Sequence, residues 1–355
     1  MPVENTLSHL KNNLRKPIEP VVYNSNCAKK SDIPAHRFSV APMLDCTDRH
    51  ARFFLRLLTK RSLLYTEMIT TGALIYGDRK GFLAYNQEEH PVALQLGGSD
   101  PAHLQQCTQM AYDSGYDEVN INVGCPSDRV QKGMFGACLM KQADLVSECV
   151  QQMKQVPIPV TIKSRIGVDD HDSYENLVEF IDKTSQAGCQ TYVIHARKAW
   201  LKGLSPKQNR EVPPLDYPRV YQLKQDFPEL EIIINGGIED FNAIDEHLTK
   251  VDGVMLGREA YYNPFMLAEV DQRIYGDTQP TATRESIIEQ IIPYIEAQVS
   301  EGARLKHITR HILGLYRGIP GARLWRRHLS ENAHKPEATV TLLKEALKLV
   351  HVSEA

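Results

Sequence analysis

No run of apolar residues in this chain approaches the roughly 20 needed to cross a bilayer as a helix, and the first residues lack the apolar core of a signal peptide. A membrane span and a secretory route are therefore not expected. Paired cysteines are missing as well. The seven cysteines are odd in number, irregularly spaced and without a C-x-x-C pair, which argues against a disulfide framework or a zinc site and for a reducing, cytoplasmic setting. Neither sign of charge dominates. A net charge of -3 over 355 residues argues on average against a polyanionic partner, although an average can conceal a local basic surface. A disordered composition is absent too: 42% hydrophobic and 24% charged residues are ordinary for a globular chain long enough for one large domain and a smaller one. Finally, the phosphate fingerprint of a doubly wound dinucleotide fold is lacking at the first strand-to-helix turn, where Ala41-Pro42-Met43-Leu44-Asp45 stands instead.

What the chain does contain is an alternation. Residues 1–35 carry Pro2, Pro17, Pro20 and Pro34 among polar residues and read as a flexible extension with one short helical stretch at Leu7, Leu10 and Leu14. From Arg37 onward, short apolar or β-branched runs are followed by loops and by segments of helical period. The runs are Phe38 to Met43, Leu63 to Met68, Val92 to Leu96, Glu118 to Val123, Val160 to Ser164, Tyr192 to His195, Ile232 to Ile234 and Val254 to Leu256. Pro101 to Tyr116 and Leu139 to Gln155 suit crossover helices. This pattern predicts a (β/α)8 TIM barrel over residues 36–277, with chemistry at the carboxyl ends of its strands.

Those strand ends are polar and glycine-rich. Asn120 to Ser127 ends a strand pattern with Cys125 held between Gly124, which permits a sharp turn, and Pro126, which stops the strand. Cys107, Cys149 and Cys189 read as small buried hydrophobes; Cys125, among loop formers, reads as functional, as nucleophile or as acid. Gln95, Lys163 and His195 end other strands. A salt bridge to Glu67 or Asp45 competes with a cofactor contact for Lys163, and a core role competes for His195. Asn235-Gly236-Gly237 and Gly257-Arg258 end the last two strands, where glycines let backbone N–H groups approach a phosphate and an arginine adds charge.

Past Asp277 and Pro280 the alternation gives way to helical period, near Arg284 to Ser300, Leu305 to Arg317, Gly321 to Asn332 and Ala338 to His351. Arg304 to Lys335 holds eight Lys or Arg residues and one acid, Glu331. Arg323, Arg326 and Arg327 share one helical face, which suits a phosphate track and predicts that 281–355 is a small all-helical nucleic-acid-binding domain.

Taken together, Ala41-Pro42-Met43 with Asp45 and Thr47-Asp48-Arg49, Asn122 to Ser127, Gly133 to Ala137, Lys163-Ser164-Arg165, His195-Ala196-Arg197 and Asn235-Gly236-Gly237 resemble the tRNA-dihydrouridine synthase family. Gln95 to Ser99, Ala199-Trp200-Leu201 with Gly203 to Pro206, and Gly321-Ala322-Arg323 with Trp325-Arg326-Arg327 resemble its DusA branch. Cys46, where that branch carries an aromatic residue, and the N-terminal extension depart from the pattern. The resemblance implies an FMN-dependent barrel that reduces uridines 20 and 20a of the tRNA D-arm with NADPH, with no metal and no protein partner. It implies that Pro42, Met43, Leu44, Gln95, Lys163 and His195 line or bond the flavin and that Asn235, Gly236, Gly237, Gly257 and Arg258 hold its phosphate. It further implies Cys125 as proton donor, Asn122, Lys207, Arg210, Arg323 and Arg326 as contacts to the nucleotide or RNA, and a Cys125 loop with Gly133 and Gly136 that closes over the base. The alternatives are a flavin barrel acting on a free pyrimidine, which gives the basic helices no task, and a non-catalytic tRNA-binding protein, which leaves Cys125, Lys163 and His195 idle.

Overall fold

Every described strand but one is hydrogen-bonded on both sides, and that closes the fold into a ring. The computed structural model describes residues 33–351, so the expected extension at 1–35 lies almost wholly outside the described residues. Nine parallel strands follow in order: β1 (Phe38–Val40), β2 (Leu63–Tyr65), β3 (Ile69–Thr70), β4 (Val92–Gly97), β5 (Glu118–Val123), β6 (Val160–Arg165), β7 (Thr191–His195), β8 (Glu231–Asn235) and β9 (Gly253–Leu256). β1 pairs with both β2 and β9, and β2 pairs with β4, so the strands other than β3 form a closed eight-membered barrel.

β3 continues the line of β2 along β4, with Leu64 opposite Val92 and Ile69 opposite Leu96. The run expected from Leu63 to Met68 is thus interrupted at Thr66 to Met68. There the Thr66 hydroxyl accepts the Gln95 N–H at 3.0 Å in place of a ladder carbonyl, and Glu67 turns out to accept the Asp45 N–H at 2.5 Å. β1 stops at Val40, short of Met43, because Pro42 has no N–H to give the ladder. The chain then turns back, with the N–H groups of Cys46 and Thr47 both 3.0 Å from Met43 O.

Outside the barrel, Val119, Ile121 and Val123 share one buried core with Leu104, Cys107 and Ala111 of the helix Pro101–Asp113 and with Val146, Cys149 and Val150 of the helix Ala143–Met153. Each large aliphatic side chain buried there contributes about 1.5–3 kcal/mol. Cys107, Cys149 and Cys189 belong to this layer. Inside the barrel the apolar set is small, comprising Ala41, Leu63, Tyr65, Ala93, Val193, Ile233 and Met255. Gln95, Glu118, Asn120 and Thr161 are buried as well and bond to one another or to Tyr65. The lumen is therefore partly polar, because β5 turns its polar alternate residues inward and its apolar ones to the helices.

The terminal helices pack on the barrel's first helix, Arg49–Leu58. Tyr294 of the helix Arg284–Ser300 stacks on Phe53 with ring centroids 3.8 Å apart, and its hydroxyl lies 2.6 Å from His50 Nδ1. Asp48 caps Arg49–Leu58 through the N–H groups of His50 and Ala51, and the same carboxylate receives Arg310 at 2.5 Å and His311 at 3.0 Å. Despite the cost of burial, the bonds and charge of His311, the Ala51 amide and Arg310 hold it well below the usual carboxylate range. The helix expected over Leu305 to Arg317 is only Leu305–Thr309. Gly314 brings the following segment so close to the barrel that a Cβ there would sit 2.6 Å from Tyr262 O, an approach that helical periodicity does not encode. Among the described residues, no helix is long and apolar enough to cross a membrane.

Candidate active site

The carboxyl ends of the barrel strands open into a cavity of about 1100 Å³. Cys125 sits on its wall immediately after β5. Its N–H and that of Gly124 both donate to Asn122 Oδ1, at 3.0 and 3.1 Å, so the side chain two or three residues back folds the turn. Gly124 O accepts Arg165 Nε at 2.9 Å, and the same guanidinium reaches Lys198 O and Asn209 O at 3.1 Å each. Arg165 thus ties the cysteine turn to the loop after β7. The thiol lies 3.5 Å from Ser127 Oγ.

The segment after Cys125 is already folded down in this structure. Cys125 O accepts the Ala137 N–H at 2.9 Å, and Gly136, at φ +75, leaves no room for a side chain, since its Cβ would stand 2.5 Å from that oxygen. Gln131 Nε2 bridges Pro126 O and Leu201 O, at 2.8 Å to each.

Among the described residues, Lys163 has no carboxylate partner. The salt bridge with Glu67 or Asp45 does not form, and Lys163 Nζ donates instead to Asn235 Oδ1 at 2.9 Å. Burial, followed by the Arg165 charge, lowers its pKa to about 7. Asn235 is held in turn by its Nδ2 on Met255 O at 2.7 Å, so its side chain serves Lys163 rather than the glycine loops. His195 lines the cavity with no hydrogen-bond partner among the described residues. Burial and the charges of Arg165, Lys163, Arg197 and Arg210 push its pKa well below the usual imidazole value, so it is neutral.

Gly236 and Gly237 take φ values of +114 and +69, and a Cβ on Gly236 would lie 2.5 Å from His195 Cδ2. With Gly257 they border the cavity, and among the described residues their N–H groups find no acceptor. Arg258 stands beside them, paired to Glu211 at 2.9 Å across the rim. Pro42, Met43 and Leu44 line the same cavity, as do Gln95 and Asn122. The amides of the last two are joined, Asn122 Nδ2 to Gln95 Oε1 at 2.8 Å. Arg210 reaches the rim, whereas Lys207 lies exposed outside it. Arg323 and Arg326 are not in the cavity. They stand exposed on the helix Ala322–Asn332, opposite the buried Trp325 and Leu329, while Arg327 pairs with Glu331 at 2.9 Å.

Several contributors escaped the reading of the sequence. Arg310, His307 and Tyr262 also line the cavity. Arg165 was visible as a strand end but not as the clamp on Gly124. Glu118 and Asn120, whose every-second-residue spacing with Asn122 was the available signal, form the polar lumen below.

A family model described as Dihydrouridine synthase (Dus) matches residues 39–351. The tRNA-dihydrouridine(20/20a) synthase of Salmonella typhimurium is 62% identical over 324 residues, 91% of this chain and 97% of that protein. Those of Escherichia coli K12 and Yersinia pestis are 60% and 59% identical, each match spanning 94% of this chain and 97% of the relative. Matched by that family over residues 39–351 and about 60% identical to these relatives over most of its length, the chain belongs to the dihydrouridine synthase family.

Proposed function

We propose that this tRNA-uridine oxidoreductase works with FMN and NADPH on uridines 20 and 20a of the D-arm, in the cytoplasm. The observation that carries the reading is the mouth itself, where, among the described residues, Lys163 bonds only the neutral Asn235 amide and faces no carboxylate, the His195 ring has no hydrogen-bond partner, and three glycine N–H groups find no acceptor. Polar groups that converge in this way on one concave cavity, without partners in the chain, suit a ligand. The donor set fits a flavin mononucleotide: Gly236, Gly237, Gly257 and Arg258 would hold the phosphate, and Lys163, His195 and Gln95 the ring and ribityl chain, against Pro42, Met43 and Leu44. Bound there, FMN would supply the hydride to C6 of the uracil.

The residues of the chain do the remainder. Cys125 Sγ–H gives its proton to C5, and the thiolate left behind has Ser127 Oγ–H at hydrogen-bond distance and the Lys163 and Arg165 cations nearby. Asn122 and Arg165 keep that thiol at one place on the wall. Gln131 and the folded Cys125 segment limit access of water from the side. Because the cavity admits a base and not a folded RNA, the uridine is turned out of its stack to enter. Arg210 and Lys207 at the rim, and Arg323 and Arg326 on the 281–355 helical domain, meet the backbone phosphates.

The test offers the purified protein unmodified tRNA and free uridine with NADPH and quantifies dihydrouridine by mass spectrometry. Product in tRNA at positions 20 and 20a is expected; turnover of the free nucleoside alone would overturn the proposal.

A further inference from the structure

The polar side chains in the barrel lumen form one continuous chain of hydrogen bonds, and its direction is dictated from below. At the base of the barrel, His36 Nε2 meets Glu118 Oε2 at 2.5 Å and His36 Nδ1 meets Glu231 Oε2 at 3.0 Å. Burial alone would lower the imidazole pKa, but the charge and hydrogen bond of Glu118, with Glu231, outweigh it and raise it to about 10. Ion-paired to His36 through Oε2 and bonded by the Tyr65 and Thr161 hydroxyls at Oε1, Glu118 acts in the lumen as an acceptor.

From that point each partner has one choice. Thr161 Oγ1 must give its single hydrogen to Glu118 Oε1, at 2.6 Å, and so can only accept from Asn120 Nδ2, at 2.9 Å. The Asn120 amide is then oriented, and its Oδ1 accepts Gln95 Nε2 at 2.8 Å. Gln95 Oε1 is left to accept Asn122 Nδ2 at 2.8 Å, which turns Asn122 Oδ1 upward to the N–H groups of Gly124 and Cys125. Flipping any amide would set donor against donor in a buried place, at a cost of about 1–3 kcal/mol for each group left unpaired.

We propose that Thr161 and Asn120 are positioning residues for Cys125: they transmit the polarity of the Glu118 carboxylate up the lumen and so fix the turn that carries the thiol. The catalytic half of this proposal rests on the reading of Cys125 as the proton donor. Tyr65 sharpens it. Its hydroxyl also donates to Glu118 Oε1, at 2.9 Å, and neighbours Thr161, yet among the described residues it bonds none of Asn120, Gln95 and Asn122, which lie between Thr161 and the turn.

The test measures amide hydrogen exchange over the Gly124–Cys125 segment of the full-length protein without substrate, together with kcat and KM for tRNA. Thr161→Val, which keeps the shape and removes the hydroxyl, is expected to speed exchange there about tenfold, and to lower kcat about tenfold with KM little changed. Thr161→Ser restores both, and Tyr65→Phe leaves the segment's exchange as it was. Thr161→Ala takes the place of the valine variant if that chain does not fold. Unchanged exchange in the hydroxyl-less variant overturns the proposal, as does equal acceleration in Tyr65→Phe, since only general loosening would then be at work. Accelerated exchange with undiminished kcat overturns the catalytic half. Exchange is read without turnover, so it stands apart from the proposed reaction, which fails if the unsubstituted protein makes no dihydrouridine in tRNA.

Discussion

Cys125 and Lys163 show how far a single residue can be read. The place of Cys125 at a strand end was legible because its signal is local, a strand closed by Gly124 and Pro126, and the structure adds the Asn122 and Arg165 bonds that hold the turn. Cys125→Ala is expected to lower dihydrouridine formation by about 10²–10⁴-fold, the usual worth of a general acid, while tRNA affinity persists. Cys138→Ala, whose thiol donates to Phe135 O, is expected to retain activity; equal losses in the two variants would contradict the assignment. Lys163 was less legible, because its lack of a counter-ion is a fact about its surroundings. Its pKa falls from 10.5 unfolded to about 7 folded, so between those values the unfolded chain binds more protons and stability rises with pH. In the ligand-free protein, Lys163→Met should therefore melt above the parent below pH 7, and the gap should close towards pH 10.5.

At the scale of elements, β5 is the informative strand. Its alternation of Glu118, Asn120 and Asn122 with Val119, Ile121 and Val123 predicted the strand correctly. It did not say which face was which, since barrel strands are covered on both sides. The polar face lines the lumen and ends at the His36–Glu118 pair. Because the His36 pKa is raised from 6.5 to about 10, its stabilisation is fully present below pH 6.5 and is lost as pH rises through about 10. His36→Gln leaves Glu118 buried without its cation and should cost about 3–5 kcal/mol near pH 6. Thermal melts of parent and variant should converge above pH 10; a constant gap across pH would show that packing, not charge, is lost. The interruption at Thr66 to Met68 and the short helix Leu305–Thr309 were illegible for a related reason: a side-chain acceptor and a close glycine approach replace the regular bonds that periodicity presumes.

Over the whole molecule, carboxylates on the barrel side, Asp48 and Glu259, join it to the helices that follow. Asp48 caps a barrel helix and receives Arg310 and His311, which brings Arg310 to the cavity rim. The basic surface read from Arg304 to Lys335 is accordingly divided. Arg310 is ion-paired at the mouth, Arg317 pairs with Glu259, Arg327 pairs with Glu331, and Arg323 and Arg326 stand exposed. Replacing Arg323 and Arg326 by Ala should weaken tRNA binding and flatten the plot of log affinity against log salt by about 0.7–0.9 per lost phosphate contact. Arg327→Ala should change the slope less. An unaltered slope in the double variant would remove this helix from the proposed RNA track.

The order of strands and crossover helices, the thiol at a strand end and the glycines of the last two loops were all legible in the chain alone, because each is set by neighbours within a few residues. The direction of the lumen's amide chain, the isolation of Lys163 and the joint at Asp48 were decided only by the tertiary structure. His36 and Glu118 lie 82 residues apart, and Asp48 and Arg310 lie 262 apart. Such pairs are brought together by closure of the barrel and docking of the helices on it, and only then does a carboxylate acquire the partner that fixes its charge and, through that charge, the orientation of every group above it.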